Sequence, residues 1–286
     1  MVQIVAQLVV SGLMLGSVFG LMALGLALIW GIMEVVNFAH GEFLMLALFT
    51  SFILFTGYRI DPILSIPIVA AVLFLVGLAV YWLVIRPILG GPAFAPMLAT
   101  YGISMLLISI AGFLWGWDWQ RITGSVVDAR TSIGGVAIGF PELTAAIVSA
   151  LMSVAIYLLV TRTRMGAAIQ ATSMNKEAAK LMGINTDREY LVSFGIGAAC
   201  VGVAGAVMST FYPMAPNVGA LFSYIAFTAV ALGGFGSIPG AILGGLVIGV
   251  TMNLGGYFLG MEFKNSIVFV MYLLVMLVKP TGFFGW

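Results

Sequence analysis

The sequence predicts an all-helical bundle that crosses a membrane eight or nine times, and three observations carry that reading. Of 286 residues, 62% are hydrophobic and 7% charged, with a mean hydropathy of +1.19; a soluble domain is about 45–50% apolar and about 25% charged. The apolar stretches run on without the alternating polar positions of an outer-membrane barrel strand. From Tyr190 to Met261 there is no charged residue at all, enough for two or three crossings at about 20 residues each. The 36 glycines fit the same class, because small residues let helices approach closely in lipid.

Composition also excludes. A net charge of +1 without a basic run argues against nucleic-acid binding, which needs clustered Lys and Arg. One cysteine, Cys200, and one histidine, His40, leave no intrachain disulfide, no Cys-based metal cluster and no multi-His metal site.

The chain reads as one transmembrane domain over 1–286, with spans set by charges and breakers at roughly 5–32, 38–57, 63–85, 94–116, 141–161, 190–212, 218–235, 238–259 and 265–281. The first lacks the basic leader of a cleaved signal and reads as a retained helix. Its Gly12, Gly16 and Gly20 form one stripe for packing against another helix. The second stops at Arg59-Ile60-Asp61, the third at Arg86-Pro87, and the fourth at Trp115, Trp117 and Trp119, an interfacial aromatic belt. The fifth runs to Arg162, and the sixth follows Glu189. The seventh exits through Gly233-Gly234-Phe235-Gly236-Ser237-Ile238-Pro239-Gly240, which looks broken or re-entrant and leaves the count at eight or nine. The eighth repeats the packing stripe with Gly240 and Gly244, joined by Gly245 and Gly249, and the ninth stops before Lys279.

Five of the eleven basic residues, Arg162, Arg164, Lys176, Lys180 and Arg188, lie in the 162–189 loop, which the positive-inside rule places in the cytoplasm. Counting back puts the N-terminus outside. Counting forward through nine spans puts Lys279 inside, and a re-entrant seventh segment reverses that end.

Two segments could carry function. In Gly31–Glu42 two carboxylates, Asn37 and His40 interrupt the apolar sequence. They read either as a gate near the cytoplasmic mouth or as a helix connection in which Asn37 caps the second span. In the 162–189 loop, Asn175 is a good N-cap, Lys176, Glu177, Ala178, Ala179, Lys180, Leu181 and Met182 are helix formers, and Gly183 suits the C′ position. Two turns of helix are unstable alone in water, so the membrane surface or a partner must cover the apolar face made by Ala178, Leu181 and Met182.

With these residues the chain resembles the LivH-type permease subunits of bacterial ATP-binding-cassette importers for branched-chain amino acids. The likeness lies in Gly31–Glu42 (GIMEVVNFAHGE), Arg164–Arg188 (RMGAAIQATSMNKEAAKLMGINTDR), Ala226–Gly240 (AFTAVALGGFGSIPG) and Lys279–Gly285 (KPTGFFG). The resemblance implies a bacterial inner-membrane protein whose loop helix, Asn175–Gly183, is the coupling helix that enters a groove of an ATPase subunit. It also implies a second permease of the LivM type, two cytoplasmic ATPases and a periplasmic binding protein. No lysine here follows a glycine, so the phosphate loop G-x-x-x-x-G-K-[ST] is absent. The chain is then no enzyme, and ATP and Mg belong to the partner ATPases.

Polar residues in or beside the spans are the candidates for the translocation path: Asn37, His40, Glu42, Thr100, Tyr101, Tyr224, Thr228 and Asn253. Each has a structural alternative in a hydrogen bond to its own helix or a neighbour. Permeases for amides, urea or aromatic acids share the pattern. An ion-coupled secondary transporter is the main competitor and wants a carboxylate near the midplane; here the carboxylates lie at span ends. Intramembrane hydrolysis lacks a G-x-S-x-G elbow.

Overall fold

The computed structural model describes residues 1–92, 94–133, 136–279 and 281–284; Pro280 and Gly285 of the C-terminal motif lie outside them. Among the described residues, eight helices are long and apolar enough to cross a membrane. In chain order the helices are α1 (Val2–Met33), α2 (His40–Tyr58), α3 (Pro62–Val80), which continues through a π-helical stretch, Tyr81–Ile85, into α4 (Arg86–Ile88), then α5 (Ala95–Trp115) and α6 (Phe140–Arg162). After α7 (Arg164–Met174) and α8 (Lys176–Leu181) come α9 (Thr186–Met208), the shorter α10 (Val218–Gly233), α11 (Ile238–Phe258) and α12 (Lys264–Val278). A hairpin, β1 (Arg130–Ile133) with β2 (Val136–Gly139), precedes α6. It is a small departure from the all-helical expectation, and Gln7 of α1 ties it down by donating to the Ala137 oxygen (2.8 Å) and accepting from the Ala137 N–H (2.6 Å).

Helices α1 and α9 form the buried centre, while α3, α5, α6 and α12 turn most of their apolar surface outward. Lipid supplies no hydrophobic drive between helices, so close packing must hold them together. The α1 stripe meets the backbone of α11: a Cβ on Gly12 would lie 2.7 Å from the Val250 Cα, and one on Gly16 2.8 Å from the Leu246 Cα. Gly245 and Gly249 receive α1 from the other side, whereas Gly240 and Gly244 face Gly233 and Ala229 of α10. The second stripe therefore serves two neighbours.

These contacts fix the ends. Gly12, Gly16 and Gly20 pair with progressively earlier residues of α11, so the two helices are antiparallel. The Gly236 turn lies beside Gly31 at the C-terminal end of α1. Phe283 and Phe284 donate N–H bonds to the Leu232 and Gly233 oxygens, which returns the C-terminus to that same end. Arg86 meets Asp187 there at 3.5 Å, next to the α7–α8 loop. The N-terminus is at the opposite end.

The 34–42 connection departs most from expectation. Glu34 ends α1 in the left-handed region (φ 55°), and the chain then runs back along the bundle. His40, the first residue of α2, binds the backbone of Met22. At 1.5 Å per residue, Met22 lies about 7 Å from the midpoint of α1, well inside a hydrocarbon core about 30 Å thick. The second span thus begins inside the membrane rather than at its rim. Likewise α10 has only 16 residues and enters from an irregular segment, in which Met214 bridges Gln120 of the loop at the opposite end. At 1.5 Å per residue α10 is about 24 Å long, short of a core about 30 Å thick, and it is not among the eight helices long enough to cross.

Candidate functional site

Where α2 and α10 start, their backbones touch: a Cβ on Gly41 would overlap the Gly219 oxygen. A helix beginning in lipid exposes N–H groups that water cannot reach, so side chains must satisfy them. The Ser223 hydroxyl of α10 accepts from the Gly41 N–H (2.9 Å). The Asn37 side-chain oxygen accepts from the Ala39 N–H (3.1 Å), so Asn37 closes a turn two residues ahead of the helix, and Ala39 rather than Asn37 occupies the capping position of α2. Thr100 of α5 accepts from the Phe38 N–H (3.2 Å) and approaches the Val36 oxygen (3.1 Å).

Three polar side chains at this junction are buried and keep an unpaired atom among the described residues: Asn37 Nδ2, His40 Nδ1 and Glu42 Oε2. His40 Nε2 lies 2.9 Å from the Met22 carbonyl oxygen; a carbonyl only accepts, so Nε2 carries the hydrogen and Nδ1 is a free acceptor. Glu42 occupies the first turn of α2, where the helix dipole favours its charge, and the Ser104 side chain of α5 approaches its carboxyl. Polar groups at this depth are costly and are a functional-site hypothesis by default.

The other path candidates separate from this junction. Tyr101 is exposed on α5. Tyr224 is half-exposed with its ring against Phe269 of α12 (5.2 Å). Thr228 is buried and donates to the Tyr224 oxygen of its own helix (2.8 Å). Asn253 lies towards the other end of the bundle and donates to the Leu8 oxygen (3.5 Å). Sequence reasoning missed Ser104 and Ser223, because a lone serine in an apolar run usually satisfies itself on its own helix.

At the loop end, Asn175 accepts from the Ala178 N–H (2.9 Å) and caps α8, and Gly183 takes φ +82° at its close. Ala179 packs inward, while Leu181 and Met182, with Met174 from α7, are more than 80% exposed. Lys176 lies over the Tyr190 ring (5.1 Å). Helix α7 was not foreseen; Thr163 caps it by accepting from the Gly166 N–H (3.0 Å), and Gln170 fastens it to the Val160 oxygen (2.8 Å). The α7–α8 pair thus extends from the bundle with an exposed apolar tip.

The family of branched-chain amino acid transport system permease components matches residues 8–278. The high-affinity branched-chain amino acid transport system permease protein BraD of Pseudomonas aeruginosa is 32% identical over 98% of this chain and 95% of its own length. The corresponding protein LivH of Escherichia coli is 31% identical over the same shares. A probable branched-chain amino acid transport permease protein LivH of Methanocaldococcus jannaschii is 28% identical over 93% and 88%. These proteins are transporter subunits that work with other subunits, not enzymes. The chain is a multi-pass membrane protein and belongs to the branched-chain amino acid transport system permease family.

Proposed function

We propose that this chain forms half of the translocation path of an ATP-binding-cassette importer for branched-chain amino acids in a bacterial inner membrane, paired with a second, LivM-type permease. Two ATPases, carrying ATP and Mg, sit on the α7–α8 loop in the cytoplasm, and a periplasmic binding protein delivers substrate to the end that holds the N-terminus. The observation that carries this reading is the α8 tip: a capped helix of six residues with Leu181 and Met182 bare is suited to a partner's groove. Closure of the ATPases on ATP pushes α8, and the shift of α7 and α9 opens the path alternately to each side, two states biased by nucleotide.

Glu42 supports a second reading. Glu42 is buried at the α2–α10 junction, and a carboxylate within the membrane is what an ion-coupled transporter would need. Uptake of L-leucine into proteoliposomes holding the assembled transporter decides between them. ATP-dependent uptake with all ion gradients collapsed supports the importer; uptake that needs a gradient and ignores ATP supports the other.

A further inference from the structure

At the end of the bundle away from the α7–α8 loop, α1, α6, α10, α11 and α12 line a half-open cavity of about 410 Å³. That lies within the range of about 300–1,000 Å³ typical of small-molecule sites. Much of its wall is apolar, with Phe19 of α1, Phe222 and Ile225 of α10 and Met252 of α11 all buried. Two opposite charges share it: Glu142 from the first turn of α6 and Lys264 from the start of α12. Asn253 lines it as well.

The two charges do not meet. The ion pairs among the described residues are Arg86–Asp187 and Lys180–Glu177; Glu142 Oε2 is buried beside the Gly139 backbone without a hydrogen-bond partner. An acid and a base lining one largely apolar cavity gain by pairing. A cavity that holds both without joining them, over an apolar wall, matches a zwitterion with an aliphatic body.

We propose that this cavity is an amino-acid subsite at the mouth of the path: Glu142 receives the α-ammonium, Lys264 the α-carboxylate, and Phe19, Phe222 and Met252 cover the side chain. The assignment rests on the transport reading above and adds a place and a polarity to it. Neither charge alone specifies the ligand; their joint presence does.

The test measures binding of radiolabelled L-leucine to the assembled transporter in lipid nanodiscs, with isoamylamine (no carboxylate) and 4-methylpentanoate (no ammonium) as competitors. Glu142→Gln is expected to weaken leucine about tenfold or more, and to abolish competition by isoamylamine while sparing 4-methylpentanoate. Lys264→Met is expected to do the reverse. Absence of saturable leucine binding by the wild type, unchanged binding in both variants, or equal loss of all three ligands in both overturns the subsite. ATP-driven leucine uptake by the wild-type complex is measured in parallel: if it persists when the subsite fails, the importer reading stands, and if it is absent, that reading falls first.

Discussion

His40 Nε2 donates to the Met22 carbonyl oxygen across 2.9 Å, and this bond pins the start of α2 to the side of α1 inside the membrane. His40→Leu removes the donor and leaves a buried junction with one link fewer. The expected cost is about 1–3 kcal/mol, read as a lower midpoint of thermal unfolding in detergent, with loss of leucine uptake by the assembled transporter. A variant with unchanged melting and full uptake contradicts the anchoring role.

The junction also depends on the absence of side chains. A Cβ at Gly41 collides with the Gly219 backbone oxygen, and backbone cannot swing aside as a side chain can. Gly41→Leu should cost about 3 kcal/mol or more and abolish a folded, monodisperse product. Gly16→Leu, which drives into Leu246 of α11, should behave similarly. Gly57 of α2 has open space around it, so Gly57→Ala serves as the control and should stay within about 1 kcal/mol of wild type. Size-exclusion profiles and melting midpoints of the three variants check this.

The ion pair between Arg86 and Asp187 looks like a strut between α4 and the start of α9, but both side chains are more than half exposed. Exposed pairs contribute about 0–1 kcal/mol. Asp187→Asn should therefore leave the unfolding midpoint within a few degrees of wild type. A larger loss means that the loop end is held by this pair rather than by packing.

The caps of α8 act locally. Asn175→Ala removes the acceptor for the Ala178 N–H and should cost about 1 kcal/mol. Gly183→Ala places a Cβ on a left-handed backbone (φ +82°) and should cost about 1–2 kcal/mol. Because α8 is exposed, hydrogen exchange of its own amides is the suitable measure, and protection elsewhere in the bundle should not change.

Span existence was legible because hydropathy and charge are local: 141–161 stands beside Phe140–Arg162, and 218–235 beside Val218–Gly233. Depth was not. Hydropathy cannot distinguish a turn at the rim from one that runs back to Met22, since that depends on a partner 18 residues earlier and on Gly219 far along the chain. The same limit split the path candidates: Asn37, His40, Glu42 and Thr100 converge, whereas Asn253 belongs to another cavity. The Gly12–Gly16–Gly20 stripe announced a packed face, yet only the fold shows that α11 turns Gly245 and Gly249 to it and Gly240 and Gly244 to α10. The α8 helix was readable from its capping residues; for α7 the Thr163 cap is local as well, but the Gln170 bond that fastens it to the end of α6 depends on the fold.

In the proposed importer, energy enters through α8 from a partner chain. The double variant Glu177→Lys with Ala178→Trp changes two exposed side chains of that helix and none of the core. In proteoliposomes of the assembled transporter, both ATP-driven leucine uptake and substrate-stimulated ATP hydrolysis are expected to be lost, while the unfolding midpoint stays at the wild-type value. Full retention of both activities contradicts it.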